Sequence, residues 1–319
     1  MGKPIVRLMM CGVILAAGGL PAGCGAVRGA GGDGVGSDAA CPEAWPAAAP
    51  LSAAEHADDE PASVDDRRLY ARLLRAAVRL HEDDKAAPLE TLRKHLDRKT
   101  CRLTLPAATG RPVAGPDLYR RACDSVIILG RLYKCDKCSH WHLGTAAGFA
   151  VAASGAVATN YHVVDNDEGA ALVAMTGDGR VLPVREVLAA DKVNDVALLQ
   201  LDGQGPPPLP LGPEAPVGTA ARVISHPERH FYAMTEGIVS RYFTTRAGGA
   251  EAPRVAITAE YAKGSSGAPV LDDCGRVVAM VESTQSIYYD KDKEGRERHL
   301  QMVIRQCIPV ECLRALVAK

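Results

Sequence analysis

A chain of 319 residues has room for one large domain or two ordinary ones. Apolar residues make up 47% of it and aromatics only 4%, so its core is aliphatic packing, which suits a β-rich body. A net charge of −1 excludes any whole-molecule electrostatic bias toward nucleic acid or an anionic membrane.

The first residues read as an address. Lys3 and Arg7 form a short positive region, and the apolar run LMMCGVILAAGGL (8–20) is too short to span a bilayer comfortably. PAGC follows, and residues 1–24 resemble a bacterial lipoprotein signal. That resemblance implies an exported protein of the periplasm or cell envelope, attached to its membrane through a lipid on Cys24. Pro21 stands where Leu is usual, and ordinary secretory cleavage nearby is the alternative. Apart from Cys11 and Cys24 the chain has Cys41, Cys101, Cys123, Cys135, Cys138, Cys274, Cys307 and Cys312. An even set in an oxidising compartment leads us to expect disulfides, up to about four, of unreadable connectivity.

Residues 25–62 are rich in Gly, Ala, Pro and Asp without an apolar period, the composition of a disordered tether. Over 63–116 a small helical segment is expected. SVDDRRLYARLLRAAVRLHED opens on a cap-like Ser63 and places Leu69, Leu73, Ala77 and Leu80 on one face. Leu89, Leu92 and Leu96 mark a shorter helix over about 88–98.

From residue 117 to 319 the texture is β. DLYRRACDSVIILGRLY predicts a short helix running into a strand, and short Val/Leu/Ile runs then alternate with turn residues, with Gly155 and the GDG at 177–179 as hairpin turns. PPPLP (206–210) reads as a rigid connector between two β halves, and the tail IPVECLRALVAK as a helix opened by a proline. The fold class is mainly β, a sandwich or barrel.

Three segments carry chemistry. ATNYHVV puts His162 just past a strand, DKVNDVALLQL puts Asp195 at the head of another, and GSSGAPV holds Ser265 and Ser266. His162 and Asp195 are 33 residues apart, Asp195 and Ser266 71. Amide hydrolysis needs a nucleophile, a base, a group to orient that base, and donors for the oxyanion. The order His, Asp, Ser is that of the chymotrypsin-type double β-barrel. GSSGA also fits a degenerate nucleophile elbow. That fold requires a helix directly after the serine, whereas Pro269 and a strand-like run follow here.

GTAAGFAVAASGAVATNYHVV, DGRVLPVREVLAADKVNDVALLQL, EGIVSRY and GSSGAPVLDDCGRVVAMV together resemble the HtrA-like branch of trypsin-fold serine peptidases, over residues 117 to about 313. The resemblance implies a double six-stranded β-barrel and an endopeptidase acting on proteins or peptides without a cofactor. His162 becomes the general base, Asp195 its orienting carboxylate and Ser266 the nucleophile. Backbone N–H groups of the Gly264, Ser265 and Ser266 loop become oxyanion donors. Ser265 stands where cleavage-activated relatives carry an Asp, so activation by clipping is not expected. Glu260, six residues before Ser266, matches a position near the S1 pocket floor of the trypsin-like fold, which would imply a preference for basic P1 residues; HtrA-like relatives instead take small apolar ones, and a solvent-exposed strand-end Glu260 is the alternative we favour. The C-terminal peptide-binding module of full HtrA proteins is not expected after residue 313.

KCDKCSHWH (134–142) packs Cys135, Cys138, His140 and His142 together in a metal-like pattern. In an exported chain disulfide bonding is the expected use of these thiols, and no metal is assigned. A catalytically idle binding protein on the same fold is the alternative to an enzyme.

Overall fold

The computed structural model describes residues 63–108 and 110–318. The signal-like residues 1–24, Cys24, Cys41 and the tether over 25–62 lie outside them. Asp65, rather than Ser63, caps α1 (Asp66–Glu82), its carboxylate accepting the Arg68 amide at 3.0 Å. Leu73 and Ala77 on the apolar face are fully buried. After α2 (Leu89–Lys94), a 3₁₀ turn (His95–Asp97) and α3 (Gly115–Cys123), the chain is almost all strand.

The first barrel comprises β1 (Val126–Lys134), β2 (Trp141–Ala152), β3 (Ala156–Thr159), β4 (Ala171–Met175), β5 (Val181–Asp191) and β6 (Val196–Leu201), closed in the order β1-β2-β3-β6-β5-β4. The second comprises β7 (Ala220–Ser225), β8 (Ala233–Ala247), β9 (Ala250–Ile257), β10 (Pro269–Leu271), β11 (Val277–Lys291) and β12 (Glu297–Pro309), closed in the order β10-β11-β12-β9-β8-β7. Closure leaves neither sheet with a free edge. The connector PPPLP lies between β6 and β7, where the chain passes from one barrel to the other, and α5 (Val310–Arg314) follows β12. Among the described residues no helix is long and apolar enough to cross a membrane.

Walls such as β1, VIILGRLYK, are buried along nearly their whole length. One face fills the barrel and the other is covered by α1, whose Leu73 and Ala77 share a core with Val126, Ile128 and Leu132. Thus α1, and α2 through Leu89 and Leu92, are part of the packing of the first barrel, while α3 reaches the second, its Tyr119 hydroxyl donating to the Tyr232 carbonyl at 3.0 Å.

The expected disulfides do not form among the described residues: Cys101, Cys123, Cys135, Cys138, Cys274, Cys307 and Cys312 are free thiols. Burial accounts for several of them. It pushes the Cys307 thiol up to about 12, and those of Cys123 and Cys312 up to about 11. These groups stay protonated and behave as small apolar side chains.

One histidine ties the barrels together. His226, fully buried after β7, donates from Nε2 to the Ile127 carbonyl at 3.0 Å and accepts the Tyr232 amide on Nδ1 at 3.1 Å. Burial depresses its pKa to about 4. Below the ordinary histidine value of about 6.5 the unfolded chain takes up a proton that the folded protein refuses until about pH 4, so stability falls with pH across that window. Unfolding by denaturant is expected to require about 2 kcal/mol less at pH 5 than at pH 8 on account of this group. His226→Gln should remove that component of the pH dependence.

Candidate active site

The site forms where loops of the two barrels meet. After β3 the chain enters a single helical turn, α4 (Tyr161–Val164), which carries His162. Asp195 heads β6 at the end of a turn held by Asp191, whose carboxylate accepts the amides of Val193 at 2.9 Å and Asn194 at 3.2 Å. Asp195 has φ +59°, a left-handed conformation that Asp and Asn tolerate better than other residues with a side chain. Its carbonyl is fixed by Asn160 Nδ2 at 3.1 Å and by the Tyr161 amide at 3.2 Å. Its carboxylate grips His162 twice: Oδ1 accepts the backbone N–H at 3.0 Å, and Oδ2 lies 2.8 Å from Nδ1. A carboxylate can only accept, so Nδ1 carries the proton and Nε2 keeps its lone pair.

Burial alone pulls the His162 pKa down, but the hydrogen bond and charge of Asp195, joined by the charge of Glu282, outweigh it and hold the pKa above its ordinary value. The imidazole is about half exposed, reachable by a substrate.

GSSGAPV forms a tight loop leading into β10, with no helix after the serine, which excludes the nucleophile-elbow fold. Gly264 (φ +94°) and Gly267 (φ +85°) supply left-handed turns. Neither could bear a side chain: a Cβ at Gly264 would lie 2.6 Å from the His226 carbonyl, and one at Gly267 2.3 Å from that of Ala147. The loop is pinned to the first barrel, since the Ala147 amide donates to the Ser266 carbonyl at 2.8 Å. Thr159, three residues before His162, donates its hydroxyl to the Ala147 carbonyl at 2.8 Å.

The two serines separate cleanly. Ser265 is fully buried, its Oγ 3.0 Å from Ser225 Oγ. Ser266 Oγ donates to the Glu282 carbonyl at 3.4 Å, not to His162. The Ser265 amide is engaged with the Ala262 carbonyl at 3.1 Å, which removes it from the expected oxyanion donors. The amides of Gly264 and Ser266 have no hydrogen-bond partner among the described residues.

A shallow pocket beside Ser266 is walled by residues 261–263 and 281–284. Tyr261 closes it, its hydroxyl lying 2.9 Å from the Ser283 carbonyl and 2.7 Å from that of Gln306. Glu260 does not line this pocket. Its side chain is 76% exposed and pairs with Arg305, while its neighbour Tyr261 is buried.

The carboxylate that does line the pocket is Glu282, and sequence reasoning missed it. Arg254, its side chain only 2% exposed, holds it bidentately at 2.7 and 2.6 Å. Removing one partner of a buried pair strands the other charge. Glu282→Ala is expected to lower unfolding stability by about 3–5 kcal/mol, and Arg254→Met combined with Glu282→Leu to recover most of it. Denaturant titration of the three forms checks this.

Two closed six-stranded barrels, with a histidine–aspartate pair from one and a serine loop from the other, define a trypsin-type fold. Comparison with known proteins agrees. Residues 146–280 match the family model of the trypsin-like peptidase domain. A stretch of 137 residues is 33% identical to a protein of Ectopseudomonas mendocina (strain ymp) named as a DegP-like periplasmic serine endoprotease, covering 42% of this chain and 28% of that relative. Over 146 residues the chain is 34% identical to a Synechocystis sp. protein (strain ATCC 27184 / PCC 6803 / Kazusa) named as serine protease HhoA, covering 43% of this chain and 36% of that one. The chain therefore spans well under half the length of these relatives. In fold it is similar to the HtrA-type protease AlgW solved with a decapeptide, with a TM-score of 0.51 and 19% identity over 64% of this chain and 66% of that chain. Residues 146–280 are thus similar to a trypsin-like peptidase domain, and the relatives that share them are named as DegP-like and HhoA serine proteases.

Proposed function

We propose that this protein is an exported serine endopeptidase of the periplasm or cell envelope. Its action is to cut protein or peptide substrates through an acyl-enzyme, with His162 as base, Asp195 as its orienting carboxylate and Ser266 as nucleophile. The observation that carries the reading is the double grip of Asp195 on His162, at 3.0 and 2.8 Å, which leaves Nε2 free to take a proton. To give its proton to that nitrogen, the Ser266 hydroxyl must first leave the Glu282 carbonyl, to which it donates at 3.4 Å. Serine–histidine contacts are often loose before substrate binds.

In the reaction the Ser266 proton passes to His162 Nε2 as Oγ bonds to the scissile carbonyl carbon. The developing oxyanion takes hydrogen bonds from the free amides of Gly264 and Ser266, each worth about 3–4 kcal/mol. His162 then protonates the leaving amine, and water repeats the sequence to release the acyl group. The Glu282 carboxylate is already held in a bidentate pair by Arg254, so it is not free to pair with a basic P1 side chain. Lipid attachment at Cys24 rests on the signal-like residues 1–24 alone, and export on those residues together with the periplasmic naming of the DegP-like relative.

The contact of Ser266 Oγ with the Glu282 carbonyl favours a second reading, an idle binding protein on a protease fold. Treating the full chain with a fluorophosphonate separates the two. The endopeptidase reading expects labelling that Ser266→Ala abolishes and Ser265→Ala preserves; a folded protein that takes no label is the idle form.

A further inference from the structure

We propose that the turn between β1 and β2 is a zinc site, in which the thiolates of Cys135 and Cys138 and Nε2 of His142 bind one metal ion. This rests on a different part of the molecule from the hydrolase reading and stands or falls without it.

The three ligand atoms already converge. Cys135 Sγ and Cys138 Sγ are 3.5 Å apart, and His142 Nε2 lies 3.3 Å from the first and 3.0 Å from the second. All three lie within 4.8 Å of one another. A tetrahedral zinc, with about 2.3 Å to sulfur and about 2.0 Å to nitrogen, needs its sulfurs about 3.8 Å apart and each about 3.5 Å from the nitrogen. The side chains sit within about half an ångström of that arrangement before any ion is added. Two thiolates and one imidazole suit zinc; an iron–sulfur cluster generally calls for more thiolates. The fourth position falls to water or to the exposed His140 of the same turn.

Local structure explains why a metal belongs here. His142 is fixed on β2 by its register opposite Tyr133 on β1, and their rings are 5.5 Å apart. The connecting residues 135–140, CDKCSH, include the turn formers Asp136 and Ser139 but no Gly to take up a left-handed turn position. Asp136, Lys137, Ser139 and His140 are exposed, so little core lies beneath the turn. A bridge between Cys135 and Cys138 would close only a short loop and leave His142 without a role. Binding zinc instead displaces one proton from each thiol and orders the turn around three ligands. Just beyond it, Trp141 packs edge-on against His81 of α1 at 5.0 Å and under Lys134 at 4.6 Å. The site thereby orders the end of the hairpin to which the N-terminal helix docks.

The test uses the untagged full chain purified without chelator. Elemental analysis should find about one zinc per chain, and replacement by cobalt(II) should give the near-ultraviolet thiolate-to-metal absorption of sulfur ligation. Cys138→Ser and His142→Ala should each lose the metal, and Cys101→Ser with Cys274→Ser should keep it. Because loss variants could also unfold the turn, Cys138→His provides the second arm: it should retain metal and weaken the cobalt–thiolate absorption. A metal-free protein, with Cys135 and Cys138 joined by a bridge in the mass of their peptide, overturns the proposal. So does metal content that ignores substitutions at 135, 138 and 142.

Discussion

Replacing Ser266 by Ala is expected to lower kcat for peptide hydrolysis about a millionfold, with KM little changed. The size of the effect follows from what remains. Without Oγ no acyl-enzyme can form, and only the free amides of Gly264 and Ser266 and substrate binding are left, worth about 10³–10⁴ over water. His162→Ala should cost a similar amount, and the double variant little more than either, because nucleophile and base act as one unit. Ser265→Ala provides the contrast. Its hydroxyl lies in the interior against Ser225, so its loss should cost about 1 kcal/mol of stability and leave turnover within a few-fold. Steady-state kinetics on a peptide substrate, with unfolding curves for each variant, check all four. A Ser265→Ala protein that is folded but inactive, beside an active Ser266→Ala, would reverse the assignment of the nucleophile.

The double barrel was legible because its strands are short, aliphatic and punctuated, and because His, Asp and Ser occur in an order tied to one topology. Proximity was not encoded in any single segment. His162 and Asp195 meet because β3 pairs with β6, which sets Thr159 opposite Ala197 and brings the ends of both strands together. For Glu260 the sequence offered both a pocket-floor and a solvent-exposed position, and only the backbone, which leaves its side chain 76% exposed, chooses between them. Glu282 was missed because its significance depends on Arg254, 28 residues earlier and on another strand. The helix cap was placed two residues early because Ser63 and Asp65 both have capping chemistry, and only backbone geometry chooses between them. KCDKCSHWH was legible as a cluster, but not that strand register sets the His142 ring within 3.0–3.3 Å of both thiols.

Asp195→Asn should lower kcat about 10⁴-fold while leaving the fold intact, and should also move the pH profile. Asn keeps the left-handed conformation at φ +59°, so the bonds from Asn160 and Tyr161 to the carbonyl of residue 195 survive. What changes is the proton on His162. An amide nitrogen facing Nδ1 donates to it, so the ring proton shifts to Nε2, where no base remains to receive the Ser266 hydrogen. The pH dependence provides a separate check on the same contact. As the proposed base, His162 acts only when neutral, so kcat/KM of the native protein is expected to fall as pH drops through a pKa held above the ordinary histidine value. Burial opposes that elevation, and the hydrogen bond and charge of Asp195 are the main causes that sustain it. Removing them leaves burial against the charge of Glu282 alone, so the acid limb of the residual activity should move to lower pH. An acid limb that stays in place in Asp195→Asn would mean that His162 does not set it, and that another group carries the proton.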